Sequence, residues 1–148
     1  MSHATPKMRY FATRLIAHEA ETHETSQTEN QTAIDVVQRL RPQLEELMGN
    51  TGFRALVSRS LALAEKEVPW LGGARMNADG SLEGFEETEV KVGPKKSFTG
   101  GVVMLAWMLG LLGSFIGELL TMRLVLEIWP NLVLNDYFSQ GEDHEKTN

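Results

Sequence analysis

His18-Glu19-Ala20-Glu21-Thr22-His23 comes near to carrying chemistry, because it approaches the His-Glu-x-x-His pattern of zinc hydrolases. In that pattern two imidazoles share one face of a helix and bind zinc, and the glutamate acts as general base. Here the histidines stand five residues apart. That spacing turns the second imidazole about 140° from the first around a helix. A third ligand is also wanting, since the only other histidines are His3 and His144. The segment therefore predicts an acidic helix end and no metal site.

Arg75 to Glu86 imitates a calcium loop more closely. Gly80 fits the sharp turn, Asn77 and Asp79 the third and fifth positions, Leu82 the apolar eighth and Glu86 the bidentate twelfth. The first position should be aspartate and is Arg75, whose charge repels a cation. Trp70-Leu71-Gly72-Gly73 also interrupts the helix that should lead in. A tight polar turn is the expectation. Gly100-Gly101 has no following lysine and no preceding strand, so it is not a phosphate loop. Ser58 and Ser60 have no base near them in sequence, and Glu45-Glu46 and Glu86-Glu87 read as solvated pairs. No catalytic residue, metal or cofactor is expected, and the chain reads as a non-enzyme.

The elements that would carry any site are helical. Met8, Phe11, Ala12, Leu15 and Ile16 recur at helical spacing over residues 6–20, with Pro6 suited to the first turn and Thr5 to the cap. Residues 19–31 turn polar and acidic and read as a linker or a frayed helix end. A second helix carries Ile34, Val37, Leu40, Leu44, Leu47 and Met48. A kink or restart is expected at Pro42 and a stop at Gly49-Asn50. Residues 51–68 give a third helix, with Phe53, Leu56, Val57, Leu61, Ala64 and Val68 on its stripe, ended by Pro69. Residues 70–96 read as a turn insert, with a small hairpin pairing 75–77 with 81–83 and a solvated connection after it. Residues 139–148 read as a disordered tail of a single helical domain.

One segment stands apart. No charge appears from Ser97 to Gly117, and apolar character continues past Glu118, Arg123 and Glu127 to Trp129. A single helix from there to Pro130 would run roughly 45 Å. The uncharged run is long enough to span a bilayer, and Lys91, Lys95 and Lys96 would hold its leading end in the cytoplasm. Against a span stand Trp107 at the midpoint rather than at an interface, and the apolar continuation to Trp129. The three upstream stripes also need a shared surface to bury against. Gly110, Gly113 and Gly117 would sit where helix backbones cross closely. Glu118, the charge inside this region, would face a polar seam or pair with a base from another helix. The expectation is a bundle core that also forms a homodimer seam through Trp107, Gly110, Gly113, Gly117 and Glu118. The alternative is a single-pass inner-membrane protein with its N-terminus inside and residues 1–96 as a cytoplasmic helical domain.

Composition narrows the classes. Among 148 residues, 42% are hydrophobic and 23% charged, which is ordinary for a globular chain. A net charge of −6 offers no nucleic-acid footprint. The chain has no cysteine, which excludes disulfides and thiolate chemistry. Lys7, Arg9 and Arg14 make a basic start without an apolar signal core, so a cytoplasmic location is expected.

Phe53 to Phe85, Phe115-Ile116-Gly117-Glu118 and the run to Trp129-Pro130 resemble small bacterial all-helical proteins of unassigned function, over about residues 50–130. The resemblance implies a bacterial, cytoplasmic protein and no activity. The sequence thus predicts an all-α bundle of about four helices with a small hairpin insert, serving as a non-enzymatic interaction or regulatory module.

Overall fold

A computed structural model describes residues 4–23 and 29–132. Thr5 accepts the Met8 backbone N–H at 3.2 Å and Pro6 follows it, so α1 runs over Pro6–His23. Its buried stripe is Met8, Phe11, Ala12, Leu15 and Ile16, as the periodicity requires. The helix does not stop where the sequence turns acidic. Residues 19–23 continue it, and Glu19 lies buried on its inner face, so of the two readings of this stretch a helix end holds over those residues and a linker does not. Residues 24–28 of that linker, and the tail at 139–148, lie outside the described residues.

The next helix, α2, spans Glu29–Glu67 with one residue of non-helical backbone, Gly49 (φ 78°, ψ 167°). Glycine adopts such angles without the steric cost of a side chain. The expected stop at Gly49 is a sharp bend between two arms, and Arg41 on one arm reaches within 5.2 Å of the Phe53 ring on the other. Of the kink or restart expected at Pro42, the restart does not occur, since the backbone there keeps helical angles. Pro42 is exposed, on the side where a carbonyl deprived of its helical donor can turn to water.

After a 3₁₀ turn at Pro69–Gly73, β1 (Arg75–Met76) pairs antiparallel with β2 (Leu82–Glu83), in the register Arg75 to Glu83 and Met76 to Leu82. The hairpin is where the turn residues placed it. The stretch after it is not a solvated connection. Phe85–Val92 forms α3, which buries Phe85 and Thr88 and sets Glu86 and Glu87 in its first turn and Lys91 in its last. That charge order favours the helix dipole. Gly84 precedes it at φ 96°, and the Gly73 carbonyl stands where a side chain would begin, so glycine is required there twice over.

The long apolar rod divides. Pro94–Ile116 forms α4 and Glu118–Ile128 forms α5, parted by Gly117 at φ 95° and ψ 148°. The Gly117 N–H closes α4 on the Gly113 carbonyl at 2.8 Å, and the Gly117 carbonyl accepts the Thr121 N–H at 3.1 Å to start α5. The expected single helix of about 45 Å is thereby corrected to one of roughly 34 Å and a shorter one turned from it. A glycine read as a crossing point serves instead as a hinge.

In the all-α arrangement α4 is the shared core. Val103, Met104, Leu105, Ala106, Met108, Leu109 and Leu112 are buried, and α4 packs against α1 and α2. Gly100 packs on Leu71 at one end of α4, and Leu112 and Phe115 lie beside Gly52 to Arg59 at the other. The second arm of α2 therefore runs antiparallel to α4. Lys95–Ile116 remains long and apolar enough to cross a membrane, with mean hydropathy 1.8, and 61% of that window is buried within the bundle.

Candidate functional site

Lys7 in the first turn of α1 and Glu118 at the start of α5 form an ion pair at 2.9 Å. The charge inside the apolar region thus takes a base from another helix, the second of the two expectations for it. Both side chains remain substantially exposed, so the pair orients α1 and α5 more than it stabilises them. At the far ends of the same two helices sits a second junction, unforeseen from the sequence. The Trp129 indole N–H donates to Glu19 Oε2 at 2.6 Å, and Arg39 Nε lies 2.6 Å from Glu19 Oε1. The Glu19 side chain is 2% exposed and that of Arg39 41%. A buried carboxylate held this way ties α1, α2 and the end of α5 together. α1 and α5 lie parallel between these two junctions.

A small pocket of about 170 Å³ opens beside Glu19, lined by His18, Arg39, Ile128, Trp129, Pro130 and Asn131. It is no zinc site. Among the described residues no three metal-binding side chains converge, and the carboxylate that would have served as general base is engaged by Trp129 and Arg39.

The calcium-like turn is likewise spoken for. Arg41 Nη2 donates to the Asp79 carbonyl at 2.5 Å, and Arg54 Nη1 donates to the Ala78 carbonyl at 2.6 Å. Two guanidinium groups, one from each arm of α2, occupy the carbonyls that crown the hairpin. Asp79 Oδ1 accepts the Ser81 hydroxyl at 2.6 Å and the Ser81 N–H at 2.9 Å, which closes the turn on itself. These Ser81 bonds, with Arg41 nearby, hold the Asp79 carboxyl below its usual range. The Arg41 side chain also pairs with Glu45, and that bond lowers the Glu45 carboxyl. The hairpin thus clamps the bend of α2, and its polarity is structural.

What remains without a structural task is apolar. Around the hinge between α4 and α5, Phe115 is 72% exposed, Leu119 83% and Leu120 40%, and Leu47 near the bend of α2 is 45% exposed. Beside Phe115 runs a furrow of about 370 Å³, walled by Met48, Gly52, Ala55 and Leu56 of α2 and by Leu112 and Phe115 of α4, with Arg59 at its rim. Positions 52, 55, 56 and 59, all beyond the bend at Gly49, make one helical stripe, so the furrow is the seam between two antiparallel helices, closed at one end by Met48. A cluster of exposed large apolar side chains beside a groove is the surface signature of an interaction site.

The five residues predicted for a dimer seam have differing surroundings in the monomer. Gly110 is buried inside the bundle. Gly113 turns to Met8 and Thr121 of the same chain, Gly117 forms the hinge, and Glu118 holds Lys7. Trp107 is half-buried, and its indole N–H has no acceptor among the described residues. The exposed residues Phe115, Leu119 and Leu120 are the ones sequence reasoning passed over. Their signal was available: with Gly117 taken as a break, they flank the resulting corner. Comparison with known proteins adds nothing to this site, since no family model, curated protein or solved structure matches the chain.

Proposed function

We propose that this protein is a non-enzymatic helical interaction module that associates with a second copy of itself. The observation that carries the reading is the group Phe115, Leu119 and Leu120, large apolar side chains left at the surface on either side of the Gly117 hinge. Burying such side chains yields roughly 1.5–3 kcal/mol each when complete, which is the driving force for association. The contact surface is thus moved from the flank of the long helix, which the bundle itself uses, to the hinge between α4 and α5. No nucleic acid or cofactor enters this reading, and the cytoplasm is its compartment.

Sedimentation velocity over a wide range of concentrations, without detergent, tests it. A reversible shift from monomer to dimer is the expected result. A monomer at every concentration overturns it.

The second reading is a single-pass membrane protein, supported by the length and hydropathy of Lys95–Ile116. It competes with the first because α1 and α2 would have to leave α4 for lipid to reach it. Recovery of the chain only from the membrane fraction, and only with detergent, would replace the first reading with this one.

A further inference from the structure

Resting on the self-association reading, we infer that the interface is a two-fold exchange in which Phe115 of each copy seats in the furrow of the other. A symmetric dimer uses one patch twice, so that patch must hold both a projection and the recess that receives it. This corner has both. Phe115 stands 72% exposed at the end of α4, and Leu119, 83% exposed, lies across the Gly117 hinge in the first turn of α5. The furrow beside it has Gly52 and Ala55 on its α2 wall, where short side chains leave room for a ring, and Met48 and Leu56 on either side to contact it. An exposed ring beside a recess that it does not fill is the arrangement a second copy satisfies.

Charge agrees with this placement. Arg59 marks one end of the furrow, is exposed, and has no acid within ion-pair distance among the described residues. The antiparallel course of α4 puts the hinge, and with it Glu118, at the opposite end. A two-fold rotation about the furrow's middle brings the Arg59 end of one copy to the Glu118 end of the other. Lys7 and Glu118 then gain a second cation from across the seam, at the rim where opposite charges set register. The residues concerned are fewer than the roughly 20–30 a side of a standard interface, so the dimer is weak and concentration-dependent.

Two substitutions separate knob from recess. Phe115→Ser removes the projection, and Ala55→Leu fills the furrow, both at exposed positions where the fold should be indifferent. Each alone should raise the dimer dissociation constant about tenfold or more, with the helical signal and the thermal transition of the diluted chain unchanged. The deciding experiment mixes the two variants. Each homodimer lacks both seats, but the heterodimer keeps one, formed by the Phe115 of the Ala55→Leu chain and the open furrow of the Phe115→Ser chain. Because Phe115→Ser leaves the Met48, Gly52, Ala55 and Leu56 wall of that furrow unaltered, the mixture should associate more tightly than either variant. Ala55→Gln, which fills the same space with a polar end, serves in place of Ala55→Leu if that variant fails to fold. If the parent dimerises while Phe115→Ser does so equally well, or the mixture gains nothing, the exchange is wrong and self-association stands. If the parent never dimerises, both fall together.

Discussion

At the scale of single residues, Glu19 holds the most consequence. From the sequence it is one acid in a polar run, and nothing local marks it for burial. Its partners are Arg39 and Trp129, the latter 110 positions away, and only tertiary structure brings them together. Removing one side of a buried ion pair costs more than removing the charge that needs it. Arg39→Ala should therefore destabilise the chain by about 3 kcal/mol, toward the low end of that class because Arg39 is 41% exposed. Glu19→Gln leaves an amide oxygen for the indole N–H and lets Arg39 turn to water, and should cost about 1 kcal/mol. Urea denaturation of the two variants checks the order. A larger loss for Glu19→Gln than for Arg39→Ala would show that the carboxylate is not the group in need of a partner.

Elements were legible where the signal is local and lost where it is relational. Pro69 and the Asn77-to-Ser81 turn fixed boundaries because their backbone chemistry admits few alternatives, and Gly49 did so for the same reason. The third helix, α3, was missed because eight residues carry too little periodicity, although Glu86 and Glu87 at its start and Lys91 near its end were a usable mark. Gly117 was misjudged because a glycine on an apolar helix fits a close crossing and a hinge equally well. The hairpin was foreseen, but its partner was not: Arg41 and Arg54 reach it from both arms of the bent α2. This docking should depend on pH. The Asp79 and Glu45 carboxyls are both held below their ordinary range, by Ser81 and Arg41 respectively. Their contribution is thus complete above that range and is lost as pH falls through the lowered values. Titration followed by amide chemical shifts should find residues 77–81 leaving their folded positions on acidification before α4 does. Simultaneous loss in the hairpin and in α4 would show that the clamp has no independent titration.

At the scale of the whole molecule, the question is what α4 is for. The apolar stripes of α1 and α2 were readable from spacing alone, and so was the need for a common surface to bury them. The sequence left open whether Ser97 onward served that need or crossed a membrane, because both uses select the same side chains. The fold sets α4 against α1 and α2 and buries Val103 to Leu109 and Leu112 almost throughout, which makes a specific prediction about a shortened chain. In the membrane reading, residues 1–96 are a helical domain that folds alone. In the bundle reading, a chain ending at Lys96 loses the surface on which Phe11, Leu15, Leu40, Leu44, Phe53 and Val57 are buried. Replacing burial of these six side chains by exposure forfeits on the order of 10 kcal/mol, comparable to the whole stability of a small domain. The fragment should then show no sharp thermal transition, bind apolar dyes and aggregate, while the full chain melts cooperatively. A fragment of residues 1–96 that melts cooperatively and stays monomeric would mean α1 and α2 bury their stripes on each other, freeing α4 for lipid.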